Sequence, residues 1–134
     1  VWIISFMTLH VVQLEDEYLL RDILKCTIEA YDPRIILTQF ADSDTIVDYL
    51  QGNTLPIDLF MIDIRVPGSM DGMGVVKKIR EMGFTARILL TSGYRRPAED
   101  WYTPLACDWA GKPWSAVDLI ERLQQIARNK VKAS

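Results

Sequence analysis

The chain has one histidine and two cysteines in 134 residues, too few for the chemistry those side chains usually carry. A single imidazole, His10, cannot build a histidine-based metal site and reads as a strand-end side chain. Cys26 and Cys107 lie far apart and outside any metal-type spacing, so they read as reduced, buried thiols of a cytosolic protein. Long apolar runs are absent too. The opening VWIISFM is far too short to span a bilayer and lacks the basic start and cleavage site of a signal peptide. A net charge of −3 with no basic stripe gives no reason to expect nucleic acid. No linker, internal repeat or low-complexity segment is visible. One cytoplasmic domain, with neither membrane nor nucleic acid as partner, is the expectation.

What is present is organised around residues 58–74, DLFMIDIRVPGSMDGMG. A short apolar run, Leu59-Phe60-Met61-Ile62, ends in an acid, Asp63. A loop with Pro67, Gly68 and Gly72 follows, and then a helical pattern. An apolar run bounded by turn residues is the signature of a buried parallel strand. Its carboxyl end is where open α/β sheets place their chemistry.

Strand and helix alternate along the rest of the chain. Residues 9–14 form a strand pattern that stops at Glu15. Residues 16–30 carry Leu20, Ile23, Leu24, Thr27 and Ile28 at helical spacing, and Asp32-Pro33 breaks the helix. Residues 34–40 are β-branched and apolar, a second strand. Asp42 or Ser43 caps a helix with Ile46, Val47 and Leu50 inward, and Gly52-Asn53 is its exit. The third strand spans 57–62. A helix from Asp71 carries Val75, Val76, Ile79 and Met82 and ends at Gly83. Residues 86–90 are the fourth strand and 107–110 a short fifth. Ser115 with Asp118 resembles a capping box for a last helix with Val117, Ile120, Leu123 and Ile126 as its inner stripe. Five βα units imply a parallel sheet covered on both faces.

In such a sheet all carboxyl ends open on one edge, which here collects Glu15, Asp16, Asp63, Thr91 and Lys112. Three crowded acids repel unless a counter-charge is supplied. Oxygen-only ligands favour Mg²⁺ or a similar hard ion. A carboxylate beside such an ion, faced by an ammonium and a hydroxyl, is suited to phosphoryl transfer.

The run LEDE at 14–17, DIRVPGSMDG at 63–72, LLTSG at 89–93 and KP at 112–113 together resemble the receiver domain of two-component response regulators. The resemblance extends from about residue 9 to 126, with the motifs in the family's order. It implies a flavodoxin-like (βα)5 sandwich with sheet order 2-1-3-4-5. It divides the chain into an N-terminal extension or extended first strand at 1–8, the receiver domain at 9–130 and a tail at 131–134. It makes Asp63 the phosphoacceptor for a phosphohistidine on a histidine kinase or histidine phosphotransfer protein. Glu15, Asp16 and Asp63, with the backbone carbonyl of Arg65, become the holders of Mg²⁺ (or Mn²⁺). Thr91 is the hydroxyl that moves toward the phosphoryl group, Lys112 is the lysine that pairs with that group, and the Lys112-Pro113 peptide is expected to be cis. Trp109 falls where the family has a Tyr or Phe whose rotamer reports phosphorylation. On this resemblance the chain is a signalling phosphoacceptor that assists its own phosphorylation and dephosphorylation, not an enzyme.

Rival chemistries fit less well. A haloacid dehalogenase-type phosphatase needs a second Asp where Arg65 stands. A flavodoxin-type module needs a phosphate-cradling loop where Glu15-Asp16-Glu17 would repel phosphate. A non-phosphorylated pseudo-receiver acting as an interaction module is the alternative that keeps the fold. Residues 94–105, YRRPAEDWYTPL, make a poor helix with two prolines and three aromatics, so a short or irregular fourth helix is expected. Tyr94, Trp101 and Tyr102 there are read equally as partner anchors or as a cover for the core. A downstream protein is expected to meet residues 94–110 and the last helix, with a homodimer left open.

Overall fold

A computed structural model describes residues 8–53, 55–92 and 99–133, with the backbone alone at 99, 101 and 131–133. The fold runs β1 (His10–Leu14), α1 (Tyr18–Tyr31), β2 (Ile36–Phe40), α2 (Ser43–Gly52), β3 (Leu59–Asp63), α3 (Gly72–Glu81), β4 (Arg87–Thr91), α4 (Glu99–Tyr102), a 3-10 turn (Thr103–Leu105), β5 (Cys107–Trp109) and α5 (Ala116–Ala133). The five strands are parallel, in the order β2-β1-β3-β4-β5. This is the flavodoxin-like sheet expected from the motifs.

Side chains alternate across each strand, and the two faces build two cores. On one face Val12, Leu14, Phe60, Ile62, Ile88 and Leu90 pack with α2 and α3, and with Tyr102 of α4. On the other, Val11, Leu59, Met61 and Leu89 pack with Leu24 and Ile28 of α1 and with Leu119, Leu123 and Ile126 of α5. β1 and β3 are buried along their whole length, the polar His10, Gln13 and Asp63 included, and β3 reads as an apolar run up to its closing acid.

The helix starts are set by short polar side chains. The Asp42 carboxylate accepts from Thr45 N at 2.9 Å, the Asp71 carboxylate accepts from Gly74 N at 2.9 Å, and Ser115 Oγ accepts from Asp118 N at 3.3 Å. The fourth helix is a single turn leading into the 3-10 turn, as Pro97 and Pro104 suggested. Tyr102 is buried, so for that residue the core-covering role holds. Tyr94 and the Trp101 side chain lie outside the described residues, as does the extension before Thr8.

Three expectations need correction. Ile23 is 50% exposed and Val117 65% exposed. α1 turns its Leu24/Ile28 edge inward, and the inner stripe of α5 is Leu119, Leu123 and Ile126. Val117 stands two residues before that stripe, on the far side of the helix. Cys26 is exposed on α1, and only Cys107 is buried.

Candidate functional site

Strand ends position the acids. Asp63 closes β3 in register with Thr91 closing β4, and both are buried. Glu15 follows the last residue of β1. Its backbone N donates to Phe40 O at 2.9 Å, and its Oε2 accepts from Glu17 N at 3.1 Å. Only 1% of Glu15 is exposed, whereas its neighbour Asp16 faces solvent. Glu15, Asp16 and Asp63 each offer a carboxylate oxygen, all within 4.8 Å of one another.

Lys112 reaches this cluster because the β4–β5 ladder continues past the strand. Ala110 N donates to Leu90 O, and Lys112 N to Ser92 O, each at 2.9 Å. The Lys112-Pro113 peptide is cis. Lys112 Nζ lies 2.6 Å from Glu15 Oε1 and donates to Asp63 Oδ2 at 3.0 Å. One ammonium therefore bridges two buried carboxylates. Burial works against the Lys112 charge, but the two carboxylates outweigh it and raise its pKa. Burial is also the main influence on Glu15, and it pushes the carboxyl up to about 7. The Lys112 ammonium and the Glu17 N–H oppose this rise, and the Asp63 charge adds to it.

The loop after Asp63 is held tightly. Arg65 N lies 3.3 Å from Asp63 Oδ1, and its side chain is exposed. Gly72 N donates to Ile64 O at 2.7 Å, and a Cβ on Gly72 would meet Asp63 O at 2.1 Å. Only glycine lets α3 start directly behind the acid. Gly68 has φ +123°, and a Cβ there would meet Ser43 Oγ at 2.0 Å. Ser43 N donates to Pro67 O at 3.0 Å, and Asp44 takes Ser69 N at 3.1 Å, so α2 fixes the loop from outside.

The structure thus brings Glu15, Asp16, Asp63 and Lys112 together, sets Thr91 beside Asp63 in the sheet, and puts Arg65 on the flanking loop. Trp109 lies half-buried on β5, one register step below this edge, on the face it shares with Tyr102 and Leu105. The donors fit a hard divalent cation. They are all oxygens, and among the described residues the buried Glu15 Oε1 meets only the ammonium of Lys112.

Two arginines had no sequence signal. Arg21 of α1 donates from Nη1 to Glu15 O at 2.7 Å. Arg80 of α3 donates to the carbonyls of Leu105, Phe84, Ala86 and Ala106 at 2.8–3.2 Å. Backbone carbonyl acceptors have no residue type, so no motif announces them.

The family model described as response regulator receiver domain matches residues 11–124. Protein MrkE of Klebsiella pneumoniae is 25% identical over 124 residues, 92% of this chain and 45% of that protein. The transcriptional regulatory protein YpdB of Escherichia coli K12 is 25% identical over 118 residues, 88% of this chain and 47% of that protein. The chain spans less than half the length of these two relatives. In fold, a CheY-like response regulator receiver domain protein from Methanospirillum hungatei superposes with a TM-score of 0.80 at 16% identity, covering 96% of this chain and 100% of that one.

Proposed function

The chain belongs to the response regulator receiver domain family, and from that premise we propose that it accepts a phosphoryl group on Asp63 from a partner phosphohistidine. One observation carries the reading. Three carboxylates converge within 4.8 Å at the carboxyl edge of the sheet, and Lys112 bridges the two that are buried.

An Asp63 carboxylate oxygen attacks phosphorus in line. The phosphorus–nitrogen bond of the donor breaks, and its electron pair stays on the imidazole nitrogen. Glu15, Asp16, Asp63 and the Arg65 carbonyl would hold Mg²⁺ (or Mn²⁺), which when bound neutralises the transferring oxygens. Lys112, already 3.0 Å from Asp63 Oδ2, offers those oxygens an ammonium. The burial of Asp63 and Thr91 limits water around the reacting carboxylate.

Phosphorylation adds roughly −1.5 to −2 charge at Asp63. That charge draws the Thr91 hydroxyl and the Lys112 ammonium and leaves space behind Thr91 for the Trp109 indole. The face that α4, β5 and α5 share then changes toward a downstream protein or a second copy. YpdB is named as a transcriptional regulatory protein, which suggests a transcriptional output for a longer protein carrying this domain.

The test is incubation with Mg²⁺ and a small acyl phosphate donor. Wild type should gain one acid-stable, base-labile phosphoryl group, and Asp63→Asn should gain none. A wild-type mass that stays unchanged, under conditions that label a known receiver, would leave a pseudo-receiver instead.

A further inference from the structure

Locally, the loop carrying Glu15 and Asp16 is tied by Glu17 N, which donates to Glu15 Oε2 at 3.1 Å. Glu17, at the N-cap of α1, makes no side-chain capping bond. The main side-chain hold on the Glu15 carbonyl comes from one turn further along: Arg21 Nη1 donates to it at 2.7 Å. The guanidinium lies over the Tyr18 ring, 5.8 Å from its centroid, which restricts its rotamers. The Arg21 backbone is braced in turn. Gln39 Nε2 of β2 donates to Arg21 O at 2.7 Å and to Oε1 of the buried Gln13 of β1 at 2.8 Å. A polar relay thus runs from two strands through Gln13, Gln39 and Arg21 to the peptide that sets the direction of the Glu15 and Asp16 side chains.

We infer that Arg21 is a positioning residue for the divalent-cation site, holding the acid-bearing loop in its binding geometry through the Glu15 carbonyl. This role rests on the cation-binding reading of Glu15, Asp16 and Asp63. Its sign separates it from a charge effect. Arg21 is a cation beside an acidic cluster, so by charge alone its removal would tighten Mg²⁺ binding. Positioning demands the opposite.

The experiment is calorimetric titration of Mg²⁺ into the metal-free, unphosphorylated chain. Arg21→Met keeps the apolar stem and removes the donors; Arg21→Lys keeps the charge and one donor. Arg21→Met should weaken Mg²⁺ about tenfold, and Arg21→Lys by about threefold or less, the scale seen when a group orienting a metal ligand is lost. At saturating Mg²⁺ the maximal phosphorylation rate of both should match wild type. Wild-type affinity, or tighter binding, in a folded Arg21→Met protein overturns the assignment. Should Arg21→Met fail to fold, Gln39→Met releases the brace while Arg21 stays. It should weaken Mg²⁺ about threefold, and unchanged affinity there overturns the assignment equally. A wild type that binds no Mg²⁺ overturns the cation-site reading and this role with it. A wild type that binds alongside an equally tight Arg21→Met overturns this role alone.

Discussion

Glu15→Gln should make the metal-free protein more stable at neutral and alkaline pH, although it removes a charge that the proposed cation site would use. Burial raises the Glu15 carboxyl from its ordinary 4.5 to about 7, more than Lys112 can offset. The native state therefore holds this proton more tightly than the unfolded chain. Between pH 4.5 and about 7 the native state carries more protons, so wild-type stability falls as pH rises through that window and levels off above it. A rise of about 2.5 pH units, at about 1.36 kcal/mol each, puts the cost of ionising Glu15 in the fold at about 3 kcal/mol. Glutamine has nearly the same shape, can still accept from Glu17 N, and never ionises. Urea denaturation in EDTA should show Glu15→Gln about 2–3 kcal/mol more stable than wild type at pH 8, with the gap closing near pH 5. Saturating Mg²⁺ should stabilise wild type more than Glu15→Gln, because only the carboxylate offers the ion a charge. A gap that stays constant from pH 5 to 8 would refute the reasoning, since no buried ionisation would then be involved.

Other perturbations should act elsewhere on the frame. Gly72→Ala places a Cβ 2.1 Å from the Asp63 carbonyl, so α3 must shift; urea melts should show a loss of at least about 3 kcal/mol. Burial lowers the His10 pKa below 6.5, so the neutral ring is favoured in the fold and stability is lost as pH falls below 6.5. In the Glu15→Gln background, where the opposing slope is gone, His10→Asn should flatten the stability profile between pH 7 and 5. Arg80→Ala strips donors from four carbonyls on two segments. It should cost about 3 kcal/mol and speed amide exchange at residues 105–107, while Asp63 still takes its phosphoryl group.

The sheet was legible because burial on both faces makes residues 59–62 of β3 and Val11, Val12 and Leu14 of β1 apolar, and the polar caps Asp42 and Asp71 announce their helices directly. The site was legible because its members are chemically distinctive residues at the ends of those strands. Ile23 and Val117 misled because apolar spacing defines a stripe but not its edges, and tertiary packing decides which border residue faces solvent. Arg21 and Arg80 escaped because their acceptors are backbone carbonyls. Gly72 was legible as a turn glycine of the loop, but its contact with the Asp63 carbonyl depends on how α3 approaches β3, which is set in three dimensions.

On the proposed function, the carboxylate at the end of β3 is the one that reacts. After exposure to Mg²⁺ and a phosphoryl donor, borohydride reduction converts an acyl phosphate to a stable alcohol that peptide sequencing by mass spectrometry can locate. The reduced residue should be Asp63 and no other acid. Reduction at Glu15, Asp16 or a carboxylate away from this edge, with Asp63 intact, would contradict the account.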